Sequence, residues 1–318
     1  MKTIVVVGPG GLGGPIAASL SRNEDVNVSI LGRPGAHVDL INTAGLRVTG
    51  HQNFTANVKA FDNPKDISVC DDLIFTTKAH DTTTALNNTA HITVNNLVVS
   101  LQNGVNKDQL LAETFGSNKV IGGLSVIAAE RTEPGLIHWA FDGGTQFGEL
   151  DGTESERVNS LVNVFTKSGM ITQSSNNIVS ETWSKLVGWV PLGLLSIRWK
   201  TSASGVLSTR SIANEYVDMV RELKLLADYV GVGLVDKGPY KVATWCKGST
   251  DTAIEHIMQS PLASSTAIHS AFQDIKKGIV TEFRSCVGPT LDKATKASIP
   301  IPNVQSAYSE LLALEATL

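Results

Sequence analysis

The chain has 318 residues, of which 42% are hydrophobic and 18% charged, with a formal net charge of −4 at pH 7. That length suffices for two domains, or one large one, around a well-buried core, and the composition is that of a folded globular protein. A slightly acidic balance with no long basic run argues against nucleic acid as the main partner.

The opening TIVVVG reads as a strand, and its apolar run stops at Gly8, too soon for a secretion signal. Gly8-x-Gly10-x-x-Gly13 follows directly and opens the helical pattern PIAASLSR, the context that a dinucleotide-binding glycine turn requires. Gly8 permits the tight turn, Gly10 lets the backbone approach a pyrophosphate, and Gly13 lets helix and strand pack. The segment Gly8, Pro9, Gly10, Gly11, Leu12 and Gly13 is therefore expected to hold the phosphates at a helix N-terminus; a purely structural glycine turn is the other reading.

The second strand, VNVSILG, ends in Gly32-Arg33, where an NAD site usually carries an acid for the ribose hydroxyls. Gly32 is expected to leave room and the Arg33 guanidinium to fork onto a 2′-phosphate, so NADP is the expected cofactor. A solvated surface arginine is the alternative.

Strand and helix patterns then alternate: HVDLINTAG as helix, DLIFTTK as strand, DTTTALNN as helix, NLVVSLQNG as strand, KDQLLAETF as helix, KVIGGLSVI as strand. This alternation implies an α/β fold with a mostly parallel, doubly wound sheet of Rossmann type. GLIHWAFDGGTQFGEL suggests a hairpin about Gly143–Gly144, and ESERVNSLVNVFTKSG a further helix. Beyond QSSNNI nearly everything has helical spacing, as in NEYVDMVRELKLLADYVG. The expected organisation is a dinucleotide-binding domain over 1–176 and an all-α substrate and catalytic domain over 177–318. LVGWVPLGLLSI, with Pro191 inside it, is well under membrane-spanning length, so no membrane partner is expected. Cys70, Cys246 and Cys286 show no metal-ligand spacing and suit a reducing cytoplasm as small buried residues.

Four stretches, taken in order, carry a family resemblance: DLIFTTKAHDTTTAL with Lys78, VVSLQNGVN with Asn103-Gly104, ETWSKLVGW with Lys185, and SAFQDIKKGIVTE with Ser270, Asp274, Gly278 and Glu282. Together they resemble the ketopantoate reductase (2-dehydropantoate 2-reductase) family over essentially the whole chain. The resemblance implies a Rossmann domain, a helical second domain, and a cleft between them for NADPH and a small-molecule substrate. It implies Lys78 and Ala128 as cofactor contacts and Asn103 as a catalytic residue that touches both cofactor and substrate, with Trp189 and Gly193 at substrate-binding positions. It also implies Lys185 as the catalytic lysine, Ser270 as a substrate contact, and Glu282 as a catalytic and cofactor-contacting carboxylate.

Elementary chemistry agrees with those roles. Reducing a ketone puts negative charge on oxygen as hydride arrives, so a proton donor must stand beside it, and a lysine serves. Burial at the start of an apolar helix would bring its pKa toward the working pH, and Glu282 would keep the ammonium charged and aimed. On the residues alone, Lys185 also reads as a snorkelling lysine, Glu282 as a partner of Arg284, and Lys78 as a solvated loop end. His138 reads as a strand histidine and His269 as a substrate-pocket residue.

The sequence departs from the family four and eight residues after the lysine, where asparagines usually stand and this chain has Trp189 and Gly193. Arg284 and Val287 likewise replace an aspartate and an asparagine. A tryptophan offers an apolar face and one N–H in place of an amide fork, and Gly193 is expected to open space. The expected activity is hydride transfer between the nicotinamide and a ketone, 2-oxo acid or corresponding alcohol, bulkier or less polar than ketopantoate. An authentic 2-dehydropantoate 2-reductase and a non-catalytic NADP-binding sensor remain the alternatives. An opine-type dehydrogenase would want a histidine–aspartate pair that His256 and His269 do not supply. Both a monomer and a homodimer suit the helical second domain.

Overall fold

The computed structural model describes every residue, Met1–Leu318. The chain divides into two compact units: Met1–Asn103 with Lys107–Ile178, and Gly104–Asn106 with Val179–Leu318.

The first unit carries ten strands: β1 (Lys2–Val7), β2 (Val26–Leu31), β3 (Leu46–Gly50), β4 (Phe54–Ala56), β5 (Lys59–Phe61), β6 (Val69–Phe75), β7 (Thr93–Ser100), β8 (Val120–Glu133), β9 (Leu136–Gly148) and β10 (Thr172–Ser174). Its helices are α1 (Gly13–Leu20), α2 (Ala36–Ala44), α3 (Thr82–Thr89), α4 (Lys107–Phe115) and α5 (Glu156–Lys167). The strands lie in the order β4-β3-β9-β8-β7-β6-β1-β2-β5, with β10 beside β9. From β5 through β2, β1, β6 and β7 to β8 every pairing is parallel. Alternation along β1 explains the double winding. Ile4 and Val6 pack with Ile16 and Leu20 of α1 on one face, and Val5 and Val7 pack with Leu86 and Leu111 of α3 and α4 on the other.

The sheet then curls. Val120 and Ile121 of β8 pair with β7, but from Gly122 onward β8 pairs antiparallel with β9. Gly122 and Gly123 make the bend possible: a Cβ at Gly122 would lie 2.7 Å from Ile178 Cγ2, and one at Gly123 would lie 2.6 Å from Val99 Cγ2. The hairpin expected about Gly143–Gly144 is not there. The chain reverses at Pro134-Gly135, and β9 runs unbroken through both glycines, joined parallel to β3. Gly143 and Gly144 instead sit where the register with β8 slips between Ser125 and Ile127. Asp142 stabilises that slip, accepting from Gly144 N at 3.0 Å and Ile171 N at 3.1 Å.

The second unit is helical: α6 (Ile178–Arg198), α7 (Ala203–Leu207), α8 (Arg210–Tyr229), α9 (Val242–Trp245), α10 (Thr250–Met258), α11 (Ser270–Lys276), α12 (Phe283–Cys286), α13 (Gly288–Lys296) and α14 (Pro302–Glu315). α6 is buried along most of its length because its residues are apolar or small all round, and it continues past Pro191. Gly188 lets Tyr240 close on the helix, since a Cβ there would meet Tyr240 Cδ1 at 2.3 Å. The Tyr216 hydroxyl donates to Gly188 O at 3.0 Å. Glu222, buried on α8, accepts from the amides of Asn303 and Val304 at 3.0 and 2.9 Å and so caps α14 from a neighbouring helix. No helix is long and apolar enough to cross a membrane.

Candidate active site

The turn joining β1 to α1 is closely packed at three of its glycines, against Thr76, Thr77 and the Ala129 carbonyl. Gly8 adopts φ +95°, and a Cβ there would stand 2.7 Å from Thr77 Cγ2. A Cβ at Gly11 would fall 2.2 Å from Ala129 O of β8, and one at Gly13 would fall 2.2 Å from both Gly8 O and Thr76 Oγ1. Gly10 is the exception, with no atom within 4 Å of that position. Thr76, just beyond β6, donates from its hydroxyl to Val7 O and Gly8 O at 2.8 and 2.9 Å. The amides of Gly11, Leu12 and Gly13 donate to no carbonyl of the chain, as the opening turn of a helix leaves them. An open face at Gly10 beside three such donors fits a pyrophosphate.

Arg33 stands at the end of β2 with its side chain 85% exposed, 3.8 Å from Asp81 Oδ1. His80 Nε2 lies 3.7 Å from the other oxygen of the same carboxylate. Lys78, exposed, begins the short turn that carries both, its carbonyl accepting from Asp81 N at 2.9 Å. Arg33 and His80 thus flank the Asp81 carboxylate, with Lys78 starting the turn that carries it; the sequence pattern points to Arg33 and Lys78 but not to His80. Gly32 opens no room for a phosphate, because Val38 Cγ2 and Pro9 Cγ occupy the space 2.7 and 3.1 Å from where its Cβ would stand. Ala128 is exposed on β8, beside Ala129, whose carbonyl closes on Gly11.

Asn103 is half-buried just past the end of β7. The preceding Gln102, which sequence reading left without a role, is buried and holds this corner. Its Nε2 donates to Thr77 Oγ1 and Thr82 Oγ1 at 2.9 and 2.8 Å, and its Oε1 accepts from Ser100 Oγ at 2.9 Å. The loop carrying Lys78 is thereby tied to the strand end carrying Asn103.

In the helical unit, Lys185 is half-buried in the second turn of α6, with Trp189 and Gly193 at successive four-residue steps on the same side. Trp189 stacks at ring-centroid distances of 4.9 Å from His269 and 4.7 Å from Phe283. The expected open space at Gly193 is filled: His269 Cε1 and Phe283 Cζ each lie 2.6 Å from where a Cβ would be. Glycine is there so that two rings can close on the helix. His269 Nδ1 accepts from Ala271 N at 3.2 Å, capping α11, and Ser270 follows it, exposed. Glu282 is buried ahead of α12. Its neighbour Thr281 donates from amide and hydroxyl to Glu315 Oε1 at 2.8 and 2.7 Å, which fixes the segment. Arg284, expected as a possible partner of Glu282, has Glu315 Oε2 at 4.0 Å. Val287 is a core residue.

A doubly wound sheet with a glycine turn at β1, followed by a helical unit, defines a Rossmann-type oxidoreductase architecture. Comparison with known proteins narrows the class. The family model of ketopantoate reductase PanE/ApbA matches residues 4–152, and its C-terminal model matches residues 177–315. The chain belongs to the ketopantoate reductase family, a family of oxidoreductases. Among curated proteins it is 26% identical over 299 residues to a 2-dehydropantoate 2-reductase of Pyrococcus horikoshii, covering 94% of this chain and 93% of the relative. Among solved structures it resembles a PanE/ApbA family ketopantoate reductase from Ralstonia eutropha, with TM-score 0.84, 22% identity and 99% of each chain covered. It also resembles D-mandelate dehydrogenase in a ternary structure with NADH and anilino(oxo)acetate, with TM-score 0.84, 18% identity and 99% of each chain covered.

If the three rings and Gly193 form one packed unit, Gly193→Ala must push His269 and Phe283 off the helix. The expected cost is about 1–3 kcal/mol of unfolding free energy, with altered Trp189 fluorescence. Unchanged stability and emission would show that the rings do not depend on the missing Cβ.

Proposed function

We propose that the protein is an NADP(H)-dependent reductase of this family acting on 2-oxo acids or ketones whose side chain is bulkier and less polar than that of ketopantoate. The observation that carries the reading is the ring cluster Trp189–His269–Phe283, set one helical turn from Lys185 on α6. Where a polar substrate would be gripped by amides, this chain has Trp189 and Gly193, packed with His269 and Phe283 into a buried cluster. The solved D-mandelate dehydrogenase of the same fold, in complex with anilino(oxo)acetate, gives a precedent for an aryl-substituted ligand.

The nucleotide unit supports the cofactor half of the reading. Gly8, Pro9, Gly10, Gly11, Leu12 and Gly13 would hold the pyrophosphate, and Arg33 with Lys78 would meet the 2′-phosphate. Ala128 and Asn103 would contact the remainder. Bound NADPH supplies hydride to the carbonyl carbon. The chain supplies the proton: the Lys185 ammonium donates it to the carbonyl oxygen, and Glu282 keeps that amine charged and oriented. Ser270 would hold the substrate carboxylate.

A second reading, authentic 2-dehydropantoate 2-reductase, is favoured by the names of the curated relatives, which match over nearly the whole chain. Initial rates of NADPH oxidation separate the two. The first reading expects phenylglyoxylate to exceed ketopantoate in kcat/KM by about tenfold or more, and the reverse order would establish the second. In either case Lys185→Ala is expected to lower kcat by roughly 10²- to 10⁴-fold. A variant with wild-type kcat would remove the lysine from the chemistry. Arg33→Ala is expected to weaken NADPH binding by about 1.5–3 kcal/mol with NADH unaffected, and equal losses for both would refute the 2′-phosphate assignment.

A further inference from the structure

His37, in the first turn of α2, was singled out by no motif, yet it is buried and both ring nitrogens are engaged. Nδ1 lies 2.8 Å from the amide nitrogen of Gly135, which can only donate. Nε2 lies 2.7 Å from the carbonyl oxygen of Pro9, which can only accept. The two contacts together require one form of the ring: neutral, with the proton on Nε2.

The three points so joined surround the glycine turn. Pro9 is the residue between Gly8 and Gly10. α2 begins a few residues after Arg33. Gly135 is the reversal of the β8–β9 hairpin, whose Ala129 carbonyl closes on Gly11. Thr76 holds the turn through Val7 O and Gly8 O, and Pro9 O is the next carbonyl along. We infer that His37 is a positioning residue for dinucleotide binding: neutral, it ties the Pro9 carbonyl of the glycine turn to the hairpin reversal, and on protonation it releases that tie. This inference rests on the glycine turn being the dinucleotide site.

An imidazolium has no lone pair to accept from Gly135 N–H, so protonation must break that contact. Burial opposes the charge first, and the Arg131 guanidinium on β8 opposes it further, so the ring titrates below its ordinary value of 6.5 despite the favourable Pro9 contact. The charged side chains on the surrounding elements are Arg33, Asp39, Arg47, Glu130, Arg131 and Glu133, and among them the Arg131 guanidinium lowers the ring's titration. The sign follows. The folded state binds this proton less readily than the unfolded chain. The brace is therefore intact above pH 6.5 and is lost as pH falls through the ring's own, lower titration range.

The test is NADPH and NADH binding by the full chain from about pH 8 to about pH 5.5, with thermal unfolding alongside, for wild type, His37→Gln and His37→Leu. Glutamine keeps one donor and one acceptor and cannot titrate; leucine keeps neither. Leucine is expected to weaken both dinucleotides roughly tenfold at pH 8 at temperatures where it is folded, and glutamine to restore most of that loss. Wild-type affinity is expected to fall more steeply toward low pH than that of His37→Gln, which serves as baseline for titration of the ligand phosphates. Should leucine fail to fold, the wild-type and glutamine profiles decide alone. Parallel profiles, or wild-type affinity in a folded His37→Leu, would overturn the inference while leaving the cofactor reading standing. Failure of the wild type to bind either dinucleotide would overturn both.

Discussion

The structure depends on a stretch of backbone that has been cleared of side chains and then held from three directions. At Gly8, Gly11 and Gly13 a single methyl group would collide with Thr77, with the hairpin carbonyl of Ala129, or with Gly8 O and Thr76. Such crowding is costly, because protein interiors relax poorly around even one extra carbon. The chain accepts it at the one place where α1 opens with unpaired amides. Gly10 alone faces open space, and the contrast separates packing glycines from one kept for a ligand.

The curled edge of the sheet explains how the hold is built. Because β8 bends at Gly122–Gly123 and returns as β9, the hairpin lies over α1, where Ile137 fills the space above Gly14 and Gly135 meets His37. A flat continuation of the parallel sheet would leave the far side of the turn uncovered. In the helical unit small residues do a similar job. Gly188 and Gly193 let Tyr240 on one side, and His269 with Phe283 on another, close against α6. The helix carrying Lys185 is thus packed against rings along the turns that follow the lysine.

Much of this was legible in the chain. The alternating valines of β1, the spacing of the glycines and the order of the four family stretches all act locally, so a linear reading captures them. β3 and β5 escaped because they are short pieces whose stability comes from pairing with β9 and β2, far away in sequence, and β4 is a three-residue edge strand held by β3. The misplaced hairpin has the same cause: Gly143-Gly144 looks like a turn, and only pairing with β8 makes it a slip in register. Thr76, His37, Gln102 and Glu315 were invisible as well. Each works by hydrogen bonds to residues distant in the chain, and none belongs to a spacing pattern. Gly193 was misread as room because a missing side chain in a sequence does not say what takes its place.

The central claim is that the first glycine turn is shaped for a dinucleotide and not merely for packing. Replacing Gly10 with alanine tests it most directly, since a methyl group there touches nothing in the protein. The account predicts an unchanged unfolding midpoint and an NADPH affinity lowered by about tenfold or more, measured by fluorescence titration. Full NADPH affinity in that variant would contradict it.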